Sequence, residues 1–169
     1  SVTDFSIPSE GYGQFLVDVF HEWYEHDVGK IYVSQFDNLL GQWLGYPSTT
    51  CVHQPTCGQS LVTEANGDVY ACDHFVYPEY KVGNLTQQPL TEIVLSNKQQ
   101  QFGLEKSQKL TALCRRCEFR KLCYGGCPKH RFISLENEPN PHNYLCASYR
   151  YFFEQTAPYM QAMARQIRL

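Results

Sequence analysis

The sequence lacks the features of several large classes of protein. No apolar run is long enough to span a membrane, and residues 1–7 have neither the basic region nor the apolar core of a signal peptide. The 17 Asp and Glu outnumber the 14 Lys and Arg, so the charge favours neither a nucleic-acid nor an anionic-membrane partner. We therefore expect a cytoplasmic protein that binds no nucleic acid and no membrane.

Cysteine is present, but too sparsely for a small secreted scaffold. Eight cysteines in 169 residues fall below the roughly 8–10 % that marks short disulfide-rich domains. In a reducing compartment, clustered cysteines usually bind metal or carry out chemistry. A disulfide-bonded extracellular domain remains the alternative. With 12 Tyr and 10 Phe, the chain has enough large apolar side chains to bury a core and to offset its ordering entropy.

The elements predicted in residues 1–46 follow the order helix, strand, helix, which is typical of an α/β layer. Residues 9–28 predict an amphipathic helix, residues 31–33 a short strand, and residues 36–44 a second helix. The composition of the sequence changes at Pro47, and all eight cysteines follow that residue in the chain. We therefore predict two parts, 1–46 and 47–169.

The second part predicts a small cysteine-rich α+β domain. Residues 60–73 indicate a β-hairpin, because Asn66-Gly67 is a strong two-residue turn signal between apolar arms. Residues 114–128 predict loops around cysteines. Residues 143–169 predict C-terminal helices interrupted at Pro158.

The spacing of the cysteines is the most informative pattern. A two-residue spacer lets consecutive thiolates converge on one metal centre, and Gly125 and Gly126 permit close backbone approach to it. Eight thiolates divide into two sets of four, which suits two [4Fe–4S] clusters or two zinc sites. The order is Cys51-x5-Cys57-x14-Cys72, then Cys114-x2-Cys117-x5-Cys123-x3-Cys127, then Cys146.

Basic residues crowd the second group of cysteines. They would either offset the negative charge of thiolate-ligated centres or lie as solvated side chains on the surface, and the sequence leaves both readings open. These residues are Arg115, Arg116, Arg120, Lys121, Lys129 and Arg131. Nearby histidines are expected not to be ligands, because the cysteines already fill two sites. They are His53, His74, His130 and His142.

The run Gly67-x4-Cys72, followed by Cys114-x2-Cys117-x5-Cys123-x3-Cys127 and the distant Cys146, resembles the SPASM domain of radical S-adenosylmethionine enzymes. The additional pair Cys51 and Cys57 and the dipeptide Cys72-Asp73 make the chain most similar to anaerobic sulfatase-maturating enzymes. The resemblance covers roughly residues 46–150. It implies one auxiliary [4Fe–4S] cluster on Cys51, Cys57, Cys72 and Cys127, and a second on Cys114, Cys117, Cys123 and Cys146. This crossing would lock the hairpin to the later loops.

The resemblance also implies that a larger parent enzyme is the catalyst. The C-x3-C-x2-C motif of the catalytic cluster is absent, since Cys123-x3-Cys127-x2-His130 lacks the third cysteine. The chain alone is therefore not expected to cleave S-adenosylmethionine. S-adenosylmethionine and a third [4Fe–4S] cluster are expected only in the parent. Residues 1–46 would be the tail of its partial (β/α) barrel, so the rest of that barrel is an expected partner.

The implied reaction is the oxidation of a Cys or Ser in a sulfatase polypeptide to Cα-formylglycine. A 5′-deoxyadenosyl radical removes a hydrogen from the β-carbon, a base takes the thiol or hydroxyl proton, and an electron leaves. Asp73 matches the position proposed as the base in this family, whereas from the sequence alone it reads as a turn-capping residue. Two alternatives remain, namely another peptide-modifying radical enzyme and a four-cysteine zinc-binding interaction module.

Overall fold

The computed structural model describes residues 2–167. These residues form helices and short antiparallel strands, which confirms the mixed helix-and-sheet class predicted from the sequence. The helices are α1 (Ser9–His26), α2 (Ser34–Trp43), α3 (Leu90–Val94), α4 (Asn97–Gln108), α5 (Ala112–Arg116), α6 (Arg120–Cys123) and α7 (Cys146–Ile167). The strands are β1 (Val62–Thr63), β2 (Asp68–Tyr70), β3 (Lys81–Asn84), β4 (Arg131–Ile133) and β5 (His142–Asn143).

The main core joins the two ends of the chain. The apolar face of α1 packs against α7, and α2 closes the same core. The fully buried Phe20 lies edge-on to Phe36 at a centroid distance of 5.4 Å and to Phe152 at 6.2 Å. Edge-to-face rings of this kind add to the stabilisation from buried apolar area. Residues on both sides of position 46 therefore share one core, while the predicted division at that position stays a prediction.

The strand predicted at residues 31–33 is wrong. The N–H of Ile31 donates to the carbonyl of Asp27 at 2.9 Å, and the indole N–H of Trp23 donates to the carbonyl of Ile31 at 2.9 Å. The N–H of Val33 donates to the carboxylate of Asp37 at 2.8 Å. The backbone polar groups of residues 31–33 named here are hydrogen-bonded to the end of α1 and to α2. None of the three bonds is made to a strand.

The interruption predicted at Pro158 is also wrong. Helix α7 runs without a break from Cys146 to Ile167 through Pro158. Proline removes one intrahelical hydrogen bond, but Phe152 and Phe153 on one side of it and Met160 on the other are all buried in the core. Packing on both sides holds the helix together. The last two residues of the predicted helical range lie outside the described residues.

The predicted hairpin is confirmed. Strands β1 and β2 pair antiparallel, with Val62 opposite Tyr70, around a turn that contains Asn66-Gly67. Strand β3 adds to the other edge of β2. The N–H of Ala71 donates to the carbonyl of Tyr80 at 3.0 Å, so the sheet fixes the chain one residue before Cys72.

No helix within residues 2–167 has both the length and the apolar character needed to cross a membrane.

Candidate metal centres

The eight cysteines line two separate cavities, four in each. One cavity, of about 170 Å³, is lined by Cys51, Cys57, Cys72 and Cys127. The other, of about 250 Å³, is lined by Cys114, Cys117, Cys123 and Cys146. All eight side chains are free thiols. We refer to these as the first and second tetrads. Their membership is the one implied by the family resemblance, including the crossing of Cys127 into the first set.

Helix α4 positions the two earliest cysteines of the first tetrad. The N–H of Cys57 donates to the carbonyl of Gly103 at 3.1 Å. The ammonium group of Lys106, a residue only 1 % exposed, donates to the carbonyls of Cys51 at 2.6 Å and Val52 at 3.0 Å. A buried ammonium group is costly unless it is paired or hydrogen-bonded. These bonds therefore fix both the lysine and the cysteine loop.

We expect Gly103→Ala to destabilise the chain by about 1–3 kcal/mol, because overpacking forces backbone shifts. An added Cβ would lie 2.7 Å from the carbonyl oxygen of Cys57, and that oxygen is backbone. Gly41→Ala is the matched control, since a Cβ in α2 at that position meets nothing within 4 Å. Alanine there should stabilise by about 0.5–1 kcal/mol. Urea unfolding of the two variants measures both changes, and equal effects would contradict the expectation.

The other two members of the first tetrad enter from the sheet and from the later loop. The amide of Gln99 donates to the carbonyls of Gly58 at 2.9 Å and Ala71 at 3.2 Å. It thereby joins the loop after Cys57 to the strand end before Cys72. Cys127 arrives from the loop after α6, far along the sequence. Three distant segments thus converge on one cavity.

The second tetrad is built at helix ends. Cys114 lies in α5, whose N-cap Thr111 accepts a hydrogen bond from the Cys114 N–H at 3.3 Å. The N–H of Cys117, the C-cap of that helix, donates to the carbonyl of Cys114 at 3.2 Å. Cys123 ends α6, and Cys146 is the first residue of α7. The large core that orients α7 therefore also places a cysteine.

Each tetrad has one histidine nitrogen near a sulfur. The Nδ1 atom of His74 lies 3.6 Å from the Sγ of Cys127, and the Nδ1 atom of His142 lies 3.7 Å from the Sγ of Cys114. Both sulfurs belong to tetrads that already contain four thiols. These contacts suit hydrogen bonds to ligand sulfurs better than a histidine that replaces a cysteine.

Asp73 lies at the open edge of the first cavity. Its Oδ1 accepts hydrogen bonds from the Sγ of Cys72 at 3.2 Å and from the N–H of His74 at 3.0 Å. The hydrogen bond from Cys72 is the main cause that lowers the pKa of this exposed carboxyl group. That hydrogen bond belongs to the thiol form of Cys72 and is lost when Cys72 binds a metal as a thiolate. The hydrogen bond from the N–H of His74 remains and holds the carboxylate in orientation, as a proton acceptor requires.

Burial disfavours thiolates in both cavities. It raises the pKa of Cys72 to about 12 and that of Cys123 to about 12, although the N–H groups of Gly125 and Gly126 offset part of the rise at Cys123. Burial and the neighbouring Cys114 and Cys117 raise the pKa of Cys146 to about 11. A metal centre must displace these protons and supply positive charge. Four thiols around one cavity are a donor set that fits this chemistry.

The structure separates the crowded basic residues into two groups. Arg115, Arg116, Arg120, Lys121 and Lys129 are exposed. Arg131 alone among the six points inward, and its guanidinium group donates to backbone carbonyls. Sequence reasoning did not single out Arg131, Lys106, Gln99 or Gly103. Their roles cannot be predicted from local sequence spacing, because each of these residues contacts a segment that is distant in sequence.

A protein-family model matches part of the chain. Residues 51–118 match SPASM, an iron–sulfur cluster-binding domain. The matched range contains the first three cysteines of the first tetrad and the first two of the second.

Curated relatives are similar over nearly the whole chain. A serine-type anaerobic sulfatase-maturating enzyme from Bacteroides thetaiotaomicron is 44 % identical over 168 residues, which cover 99 % of this chain and 40 % of the relative. A cysteine-type anaerobic sulfatase-maturating enzyme from Clostridium perfringens strain 13 is 33 % identical over 167 residues, which cover 98 % of this chain and 45 % of the relative. The chain thus spans less than half the length of either relative.

Solved structures agree with the sequence comparison. The chain matches native anSMEcpe with bound AdoMet and Cp18Cys peptide with a TM-score of 0.84 and 33 % identity, over 99 % of this chain and 46 % of that one. It matches native anSMEcpe with bound AdoMet and Kp18Cys peptide with a TM-score of 0.83. The resemblance predicted from the cysteine order is confirmed.

Proposed function

Since the chain carries a SPASM iron–sulfur domain and resembles anaerobic sulfatase-maturating enzymes over nearly its full length, we propose that it is the auxiliary-cluster part of such an enzyme. The parent enzyme oxidises a Cys or Ser of a sulfatase polypeptide to Cα-formylglycine in the cytoplasm. The observation that carries this proposal is the grouping of eight free thiols into two cavities of four. Each cavity binds one [4Fe–4S] cluster.

The spacing of the sulfurs supports clusters over single zinc ions. Zinc holds each thiolate sulfur at about 2.3 Å, so its ligand sulfurs lie close together. Within the described residues, no three of these thiols have sulfurs that all lie within 4.8 Å of one another. A cubane of four iron and four sulfide ions fits the wider spacing and uses the same four thiolates.

Asp73 is the base in this proposal. When bound, the auxiliary clusters supply an acceptor for one electron. The oxidation removes one hydrogen atom from the β-carbon, one proton from the hydroxyl or thiol group, and one further electron. With a cysteine substrate, water then hydrolyses the resulting thioaldehyde, and the sulfur leaves as hydrogen sulfide. Asp73 takes the proton, because its carboxylate is exposed, lines the first cavity and is fixed by the N–H of His74. That hydrogen bond is made to Oδ1, so Oδ2 is the oxygen that accepts the proton in this proposal.

Residues 1–46 form the junction with the rest of the parent in this proposal. Large apolar side chains are exposed on this segment, with Phe5 at 92 % and Tyr32 at 73 % exposed. Contact with another part of the parent enzyme would bury these side chains. We assign this surface to the partial barrel that binds S-adenosylmethionine and a third cluster, with 47–169 as the auxiliary domain.

We expect the anaerobically produced chain to be brown and to contain about eight iron and about eight acid-labile sulfide per chain. This iron and sulfide content follows from two tetrads of thiols that each hold one [4Fe–4S] cluster. Metal analysis by mass spectrometry and a sulfide assay measure it after purification without oxygen. About two zinc ions and no sulfide would contradict the proposal in favour of a zinc module. Metal-free protein without titratable thiols would indicate disulfides instead.

A further inference from the structure

One short turn connects the two tetrads. Cys123 belongs to the second tetrad and Cys127 to the first, with three residues between them. All three have left-handed backbone, with φ values of 47° at Tyr124, 71° at Gly125 and 61° at Gly126. Left-handed backbone is unfavourable for a residue with a side chain, so Tyr124 needs support from outside the turn, whereas Gly125 and Gly126 adopt it freely.

Arg131 provides much of that support. Its guanidinium group donates to the carbonyls of Tyr124 at 2.9 Å, Gly125 at 3.2 Å and Gly126 at 3.4 Å. Asn143 holds the turn through its own amide, which donates to the carbonyl of Gly125 at 2.9 Å. The carbonyls face these two side chains, while the N–H of Gly126 donates to the carbonyl of Cys123 at 3.0 Å and the N–H of Gly125 lowers the pKa of the Cys123 thiol.

Arg131 also connects to the other wall of the first cavity. Its remaining terminal nitrogen donates to the carbonyl of Lys106 at 2.7 Å. Lys106 in turn donates to the carbonyls of Cys51 and Val52. A rigid fork with several donors suits this task, and the point charge of a lysine does not reproduce it.

The positive charge of Arg131 acts on both sets of sulfurs. It interacts with Cys57 and Cys127 of the first tetrad and with Cys114 and Cys123 of the second. No carboxylate forms an ion pair with Arg131 within residues 2–167. Its charge is therefore left to balance thiolate-ligated centres on either side.

Building on the proposed two-cluster function, we propose that Arg131 is a positioning residue shared by both cluster sites. It holds the turn from which Cys123 and Cys127 enter opposite cavities, and it places one positive charge beside both clusters. Each cluster takes up one electron on reduction, without making or breaking a bond. A nearby cation favours the reduced form, so Arg131 raises the reduction potential of both.

The test is a redox titration of the anaerobically purified chain, followed by electron paramagnetic resonance. Signals are assigned with Cys57→Ala and Cys117→Ala chains, each of which removes a ligand from one tetrad. A unit charge within roughly 10 Å, at an effective dielectric constant of about 20, changes the ratio of reduced to oxidised centre by roughly tenfold. At the wild-type midpoints, Arg131→Met should lower this ratio for both clusters by about that factor. Arg131→Lys, which keeps the charge, should lower it less.

Arg120→Met is the matched control. Arg120 is exposed, lines only the second cavity and donates to one carbonyl, that of Arg115 at 3.3 Å. It should leave the first cluster unchanged. If Arg131→Met changes the ratio of reduced to oxidised centre for only one cluster, or for neither, the inference is overturned. It is also overturned if Arg131→Met and Arg131→Lys change the ratio equally. If Arg131→Met loads no iron, Arg131→Lys decides, because it keeps the charge but not the fork. A change at both cluster sites, in iron content or in the ratio of reduced to oxidised centre, supports the inference. A change at one site alone, or at neither, overturns it. Wild-type chain without iron would contradict the proposed function instead.

Discussion

Replacing Asp73 by asparagine is expected to lower the rate of formylglycine formation by about 10²–10⁴-fold in the full-length enzyme, the usual contribution of a general base. Asparagine has nearly the same shape, and its carbonyl oxygen can still accept the hydrogen bond that His74 donates at 3.0 Å in the native structure. The amide cannot take a proton at neutral pH. The change therefore removes the proposed proton acceptor while the edge of the cavity keeps its form.

The measurement is mass spectrometry of a sulfatase peptide after anaerobic turnover, with serine and cysteine peptides assayed in parallel. Iron content must match the wild type, so that a lost cluster is not read as a lost base. Glu79→Gln is the control, because Glu79 is another exposed carboxylate, six residues further along the chain. Undiminished formylglycine yield from the Asp73 variant would leave that residue with only the turn-capping role.

Replacing Cys127 by alanine is expected to remove the same cluster as replacing Cys57, and a different cluster from the one lost with Cys117. Cys127 lies only four positions after Cys123 in sequence but lines the other cavity. Each variant should lose about four of about eight iron atoms, because removing one of the four thiolates leaves one iron of that cluster without its protein ligand and makes the cluster labile. The effect is large since a whole cofactor is lost.

Iron analysis and the residual electron paramagnetic resonance spectrum of each variant decide the assignment. Matching spectra for the Cys57 and Cys127 variants are the expected result. If the spectrum of the Cys127 variant matched that of the Cys117 variant instead, Cys127 would bind the same cluster as its sequence neighbours. The assignment of ligands from the two cavities would then be wrong. Serine variants at the same positions separate loss of the sulfur from loss of the side chain.

Local sequence signals predicted the local structure well. The Asn66-Gly67 signal predicted the hairpin, although its loop has three residues, 65–67, since Glu64 pairs with Asp68 and Gly67 takes the left-handed backbone of the turn. The apolar stripe of residues 9–28 gave α1, which ends two residues earlier, at His26. The cysteine order implied, through the family it resembles, which four sulfurs line each cavity. These signals all come from short spacings or from the order of one residue type.

Features that depend on distant packing were not predictable. The apolar side chains of residues 31–33 predict a strand. In the structure, however, the backbone carbonyl of Ile31 and the N–H of Val33 are hydrogen-bonded to side chains of α1 and α2. Pro158 normally ends a helix, but the aromatic core on either side holds α7 continuous. Arg131 is one of six similar basic residues in the sequence, and only the three-dimensional turn beside it distinguishes its role.

The shared core has a practical consequence for anyone who trims this chain. A cut at position 47, where the cysteine-bearing half begins in sequence, would strip α1 and α2 from α7 and leave the rings of Phe152 and Phe153 facing water. Helix α7 also starts at Cys146, so a loosened helix would carry a sulfur away from its partners. The shortest piece that retains its cofactors should therefore begin upstream of Ser9, well ahead of the earliest cysteine.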